Sequence, residues 1–212
     1  MPEARLAEHF ATMDAQRRAG QLGMWVFLAT EVLLFGGLFA GYAAFRFAYP
    51  ADFLEGAHHM KVMIGTANTY VLITSSLFVV LATHSIKHDR SWTCAGFLLL
   101  AMLLGFVFLG LKFYEYYEHA QEGALPGVWY HVETVPRPGV IVFMTLYYLM
   151  TGLHAIHMTV AISVLGVVAY RAAGNAFDRE YHAPVELGGM YWHLVDVIWI
   201  FLYPLFYLIV PK

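Results

Sequence analysis

Residues 22–45 read LGMWVFLATEVLLFGGLFAGYAAF, and this run decides the fold class. It is 24 residues long and holds one formally charged side chain, Glu31. A helix rises about 1.5 Å per residue, so roughly 20 apolar residues cross a bilayer core. The run is therefore a membrane helix with a carboxyl about nine residues from its start. A charge in hydrocarbon costs at least about 2.5 kcal/mol, so such a group faces protein, water or a partner. At about 100° per residue, Glu31 shares a face with Met24, Phe27, Phe35 and Leu38. Ala29, Gly36, Ala40 and Ala44 lie opposite, flanked by Gly37 and Gly41. Small residues four apart admit close helix contact. The tight contact of this helix is thus expected away from Glu31, whose carboxyl would look into a looser, aromatic-rimmed cleft. A hydrogen bond to a neighbouring helix and a proton-related role are both open to it.

The rest of the 212-residue chain is of the same kind. It is 60% hydrophobic and 13% charged, with a mean hydropathy of +0.60. That composition specifies an integral membrane protein. A net charge of −3 carries no nucleic-acid signal. One cysteine, Cys94, excludes an internal disulfide and a cysteine-built metal site. Four further apolar stretches follow, at about 62–86, 91–111, 139–170 and 187–210. Each is long enough to span, and strand-like alternation is absent, so an all-α chain of five transmembrane helices is expected. Residues 1–21 mix Glu3, Arg5, Glu8, Asp14, Arg17 and Arg18 and lack an apolar core before a cleavage site, so they form a tail, not a signal peptide. The domain division is 1–21 for the tail and 22–212 for the five-helix body.

Lysine and arginine orient the chain. Seven lie on the N-terminal side (Arg5, Arg17, Arg18, Lys87, Arg90, Arg171, Arg179) and five on the other (Arg46, Lys61, Lys112, Arg137, Lys212). The excess favours a cytoplasmic N-terminus. Glu31 then lies in the inner half of the membrane, His154 and His157 near the middle, and His193 with Asp196 in the inner half. Glu115 and His119 lie at the outer end of the third helix, with Lys112 as the plain ion-pair partner of Glu115.

Pairs at helical spacing, His84 with His88, His154 with His157 and Glu115 with His119, raise a membrane di-iron enzyme as one reading. Depth opposes it, because the pairs lie at the inner surface, the middle and the outer surface. A haem between intramembrane histidines is a further possibility. Asn68-Thr69 and Thr74-Ser75-Ser76 read as helix–helix hydrogen-bonding residues. The last helix sets Trp192, Asp196, Trp199 and Tyr203 in a stripe, with His193 beside Asp196.

Tyr191-Trp192-His193-Leu194-Val195-Asp196-Val197-Ile198-Trp199 resembles the terminal-helix signature of subunit III of the haem–copper oxidases. Gly23-Met24-Trp25 through Glu31 resembles the helix carrying that family's buried carboxylate. Asn68-Thr69 with Ser75-Ser76, Gly105 through Glu115-Tyr116, and Thr151-Gly152-Leu153-His154 with His157 follow in family order. The resemblance covers nearly the whole chain from residue 20. Departures are Lys112 where a Gln or similar residue is usual, Ala155 where a Gly is usual, and the absence of the two leading helices of the longer members.

The resemblance implies a V-shaped, two-bundle membrane subunit without redox centres or metal. Haem and copper would reside in subunit I, with subunit II and a small subunit IV as further partners and phospholipid in the cleft. It implies a bacterial inner-membrane location, a place in aerobic respiration and in a respiratory supercomplex, and support for proton uptake and for lipid or oxygen access. Glu31 is then the principal residue, protonated or hydrogen-bonded, with His154 or His157 its candidate partner. Asn68, Glu115, Trp192, His193, Asp196 and Trp199 are expected to be structural. A quinol oxidase or a nitric-oxide-reductase-associated homologue fits the same signatures.

Overall fold

A computed structural model of the chain describes residues 7, 10–126, 129 and 137–208. These form six helices: α1 (Met13–Ala48), α2 (Pro50–His58), α3 (Val62–Ile86), α4 (Ser91–Gln121), α5 (Pro138–Ala173) and α6 (Ala183–Tyr207). All but α2 are long and apolar enough to cross a membrane. Among the described residues there is no strand.

The helices begin where their caps are. Thr12 is extended and its hydroxyl accepts from Ala15 N at 3.1 Å, with Asp14 in the first turn. This starts α1 nine residues before the apolar run, and its 36 residues reach about 54 Å. The end of the expected tail is therefore helical and extends beyond the membrane core. There Arg17 pairs with Glu186 of α6 at 3.1 Å, and Lys87, just past α3, meets the same carboxylate at 2.8 Å. The short α2 lies outside every expected span. Pro50 opens it, and Asp52 accepts from Gly139 N at 3.1 Å, capping α5. A Cβ on Gly139 would sit 2.5 Å from that carboxylate oxygen, so only glycine admits the cap.

α3 buries Gly65, Asn68, Leu72, Ser75, Val79, Ala82 and Ile86, a stripe at spacings of three and four. It packs on α4 and α6, and α5 packs on the same two helices. The four make one bundle. α1 lies along its α5–α6 side, and α2 packs against the N-terminal end of α5. These contacts show one bundle and do not establish a V of two. α6 is the most enclosed span, 56% buried against 11% for α1.

The contact face of α1 is not the expected one. Leu28, Phe35 and Tyr42 are its buried residues, and they bracket Glu31 on the inward side. The Tyr42 hydroxyl donates to the Leu205 carbonyl near the end of α6. Ala29, Ala40 and Ala44 are exposed, and a Cβ on Gly36, Gly37 or Gly41 would meet no atom within 4 Å. Small residues mark where a helix can be approached closely. They do not say that the approaching helix comes from the same chain.

Candidate functional site

Glu31 and His157 meet between α1 and α5. Glu31 Oε2 lies 2.7 Å from His157 Nε2, and the two side chains are 14% and 13% exposed. The other ring nitrogen, Nδ1, is 2.8 Å from the Leu153 carbonyl one turn back. A carbonyl only accepts, so Nδ1 carries a hydrogen. Nε2 and Oε2 must then hold one proton between them, on the carboxyl or on the imidazole. Both forms have zero net charge, which suits a pair at the flank of a membrane bundle. Phe35 stands edge-on to the imidazole with centroids 5.3 Å apart, and Phe27 and Tyr191 meet at 5.5 Å beside the pair. The pair is thus rimmed by aromatic rings and partly open.

His154 does not join it. Three residues along a helix is a rotation of about 300°, which turns His154 toward the bundle axis. It is fully buried, with its ring 5.5 Å from those of Phe108 and Trp199. The remaining signature residues tie α6 to α3. Trp192 N–H donates to the Ser75 hydroxyl at 3.2 Å, and Trp199 N–H to the Thr69 hydroxyl at 3.1 Å. The Ser76 hydroxyl is 2.7 Å from His193 Nδ1. The Asp196 carboxyl is 5% exposed and lies beside Ser76, although neither oxygen reaches hydrogen-bond geometry with a described residue.

A second charged pair, the expected one between Lys112 and Glu115, is present and is more enclosed than an ion pair at a helix end would be. Lys112 and Glu115 are 2% and 0% exposed. Lys112 Nζ donates at 2.8 Å to each of Glu115 Oε2, Tyr147 OH and Tyr207 OH. Tyr207 OH in turn donates to Glu115 at 2.8 Å. The three donors of the ammonium are all used, so the pair is closed on itself. Gly65 makes room for it, because a Cβ there would lie 2.8 Å from the Tyr207 ring. The available signal was Glu115 and His119 repeating at helical spacing after Lys112, which continues the buried face of α4 past its apolar run.

The His84 and His88 rings meet tilted at 4.5 Å, with His88 Nδ1 on the His84 carbonyl. Among the described residues, no three His, Cys, Asp or Glu side chains gather as a metal site.

The family model for cytochrome c oxidase subunit III matches residues 6–210. The chain is 33% identical to cytochrome c oxidase subunit 3 of Thermostichus vulcanus over 89% of its own length and 86% of that protein's. It is 31% identical to a heme-copper oxidase subunit I+III of Aeropyrum pernix, covering 88% of this chain and 22% of the longer protein. A probable quinol oxidase subunit 3 of Staphylococcus haemolyticus is 25% identical over 93% of this chain and 94% of the relative. With a family match across almost its full length and five helices able to cross a membrane, the chain belongs to the cytochrome c oxidase subunit III family.

Proposed function

We propose that this chain is the non-catalytic third subunit of a proton-pumping terminal oxidase in a bacterial inner membrane. Its N-terminus is cytoplasmic, and its complex passes electrons from cytochrome c to oxygen in aerobic respiration. Haem and copper belong to subunit I, which this chain stabilises. The fused I+III relative supports that partnership. Subunit II, a small subunit IV and a supercomplex complete the assembly, and phospholipid lies on the flank of α1.

The observation that carries the functional reading is the 2.7 Å contact between Glu31 and His157. A pair that holds one proton at zero net charge and is partly open can pass that proton between carboxyl and ring with little movement of its neighbours. That suits support of proton uptake, and the aromatic rim suits lipid or oxygen access along the same flank. Asn68, Trp192, His193, Asp196, Trp199 and Glu115 hold the bundle.

Capture of the chain in mild detergent tests the assignment. Co-purification of haem and a large oxidase subunit is expected, and mass spectrometry of its companion identifies the electron donor. A chain recovered alone with stoichiometric iron would contradict the proposal. The quinol-oxidase reading is favoured by one observation: this chain spans nearly the full length of the staphylococcal relatives. A subunit II without copper in the captured complex would select it.

A further inference from the structure

His154 is fully buried, and neither ring nitrogen has a hydrogen-bond partner among the described residues. Asn68 on α3 is in the same position, with both amide atoms unpartnered. The two belong to one level of the bundle. Phe108 lies 4.8 Å from Trp199 and 5.5 Å from His154, ring to ring, and His154 lies 5.5 Å from Trp199. The Trp199 N–H donates to Thr69, next in the chain to Asn68, which fixes the height of α3. Each helix of the bundle thus sends one side chain to this level: Asn68, Phe108, His154 and Trp199.

The side chains in contact at this level have nothing spare to offer, and one turn back on α6 the Asp196 carboxyl is itself buried without a partner among the described residues. Phe108 has no polar atom, and Trp199 has spent its single donor on Thr69. On the outer side, Lys112 has committed its three donors to Glu115, Tyr147 and Tyr207. On the inner side, Ser75 accepts from Trp192 and donates to the Leu72 carbonyl. Buried amide and imidazole groups in native proteins are satisfied by protein or by ordered water. The adjoining levels are tightly closed. A Cβ on Gly105 would lie 2.8 Å from Trp192, and one on Gly65 would lie 2.8 Å from Tyr207.

We propose that ordered water is bound inside the α3–α6 bundle, held by the Asn68 amide and the His154 imidazole beside Trp199. The amide donates and accepts, and a neutral ring does the same with its two nitrogens, so four polar atoms face an occupant that itself makes two to four bonds. The water bridges α3 to α5, which stand diagonally across the bundle. His154 thereby serves the interior while His157, one turn on, serves the flank.

X-ray hydroxyl-radical footprinting of the assembled oxidase, read by mass spectrometry, tests this. Radicals born from bound water modify adjacent side chains that bulk water does not reach. Trp199, fully buried, is expected to be oxidised several-fold faster in the native complex than in the N68L/H154F complex. It should also exceed Trp192, an equally buried tryptophan one level away. Equal Trp199 rates in the native and double-variant complexes would overturn the proposal. If the double variant fails to assemble, the native complex decides alone. A Trp199 rate above that of Trp192 supports bound water, and a rate no higher than that of Trp192 overturns it.

Discussion

Glu31–His157 and Lys112–Glu115 are the same chemistry in two settings. Each joins a carboxyl to a nitrogen base across 2.7–2.8 Å inside a membrane-spanning region. The first is partly exposed, bridges α1 to α5, and hangs on one shared proton. The second is enclosed, reaches α5 and α6 through two tyrosines, and has every donor of its ammonium used. Saturation makes the inner pair a joint between helices. On the proposed function, the open valence and partial exposure of the flank pair leave it able to change state. The two pairs thus differ in how many partners surround the charge more than in which residues carry it.

The largest expected effect comes from halving the inner pair. Lys112→Met leaves Glu115 buried without a counter-ion and should destabilise the subunit by about 3–5 kcal/mol. Thermal denaturation of the purified complex, or loss of the subunit from it, reads this out. Adding Glu115→Leu should recover most of the loss, because removing both charges removes the desolvation penalty as well. A double variant as weak as the single one would break the comparison.

Tyr207→Phe comes next. It deletes a hydroxyl that accepts from Lys112 and donates to Glu115, and hydrogen bonds to charged groups contribute about 1.5–3 kcal/mol. Phe also fills the space beside Gly65, so the change reports the network and not a cavity.

Glu31→Gln should alter stability by less than about 1 kcal/mol, since the Gln amide can donate to His157 Nε2 in the same place. Carbodiimide labelling of the flank should vanish with the carboxyl. Labelling that persists elsewhere on α1, or a stability loss as large as that of Lys112→Met, would dissolve the distinction between the pairs.

A third pair sets the lower end. Lys61, outside the spans, meets Glu118 at 2.7 Å and Glu122 at 3.4 Å. The Glu118 carboxylate raises the Lys61 ammonium above its ordinary value of 10.5. Its contribution is therefore fully present below that value and is lost as pH rises through the raised one. Lys61→Ala should have the smallest effect of the series, shrinking further in high salt and at strongly alkaline pH.

The sequence made the five spans legible because apolar length is a direct physical requirement of the bilayer. It hid the ends. Thr12 starts α1 early, and α2 is too short and too polar to stand out from a loop. Depth reduced the partner of Glu31 to His154 or His157 on α5. The choice between them depends on helix rotation, which a linear reading cannot fix. Lys112 was read as a boundary because a charge ends an apolar run. In the structure four aromatic rings, those of Tyr116, Tyr147, Trp199 and Tyr207, lie within 5.6 Å of its ammonium and enclose it. The small-residue face of α1 is expected to make the tight contact, and among the described residues it makes none.

Turnover lifetime of the assembled oxidase carrying Glu31→Gln tests the central claim most directly. The account predicts normal assembly, normal haem content and a near-normal initial rate of oxygen consumption, with a shortened number of turnovers before activity is lost. A lifetime equal to that of the native complex would contradict a functional role for the Glu31–His157 pair and leave it a structural hydrogen bond.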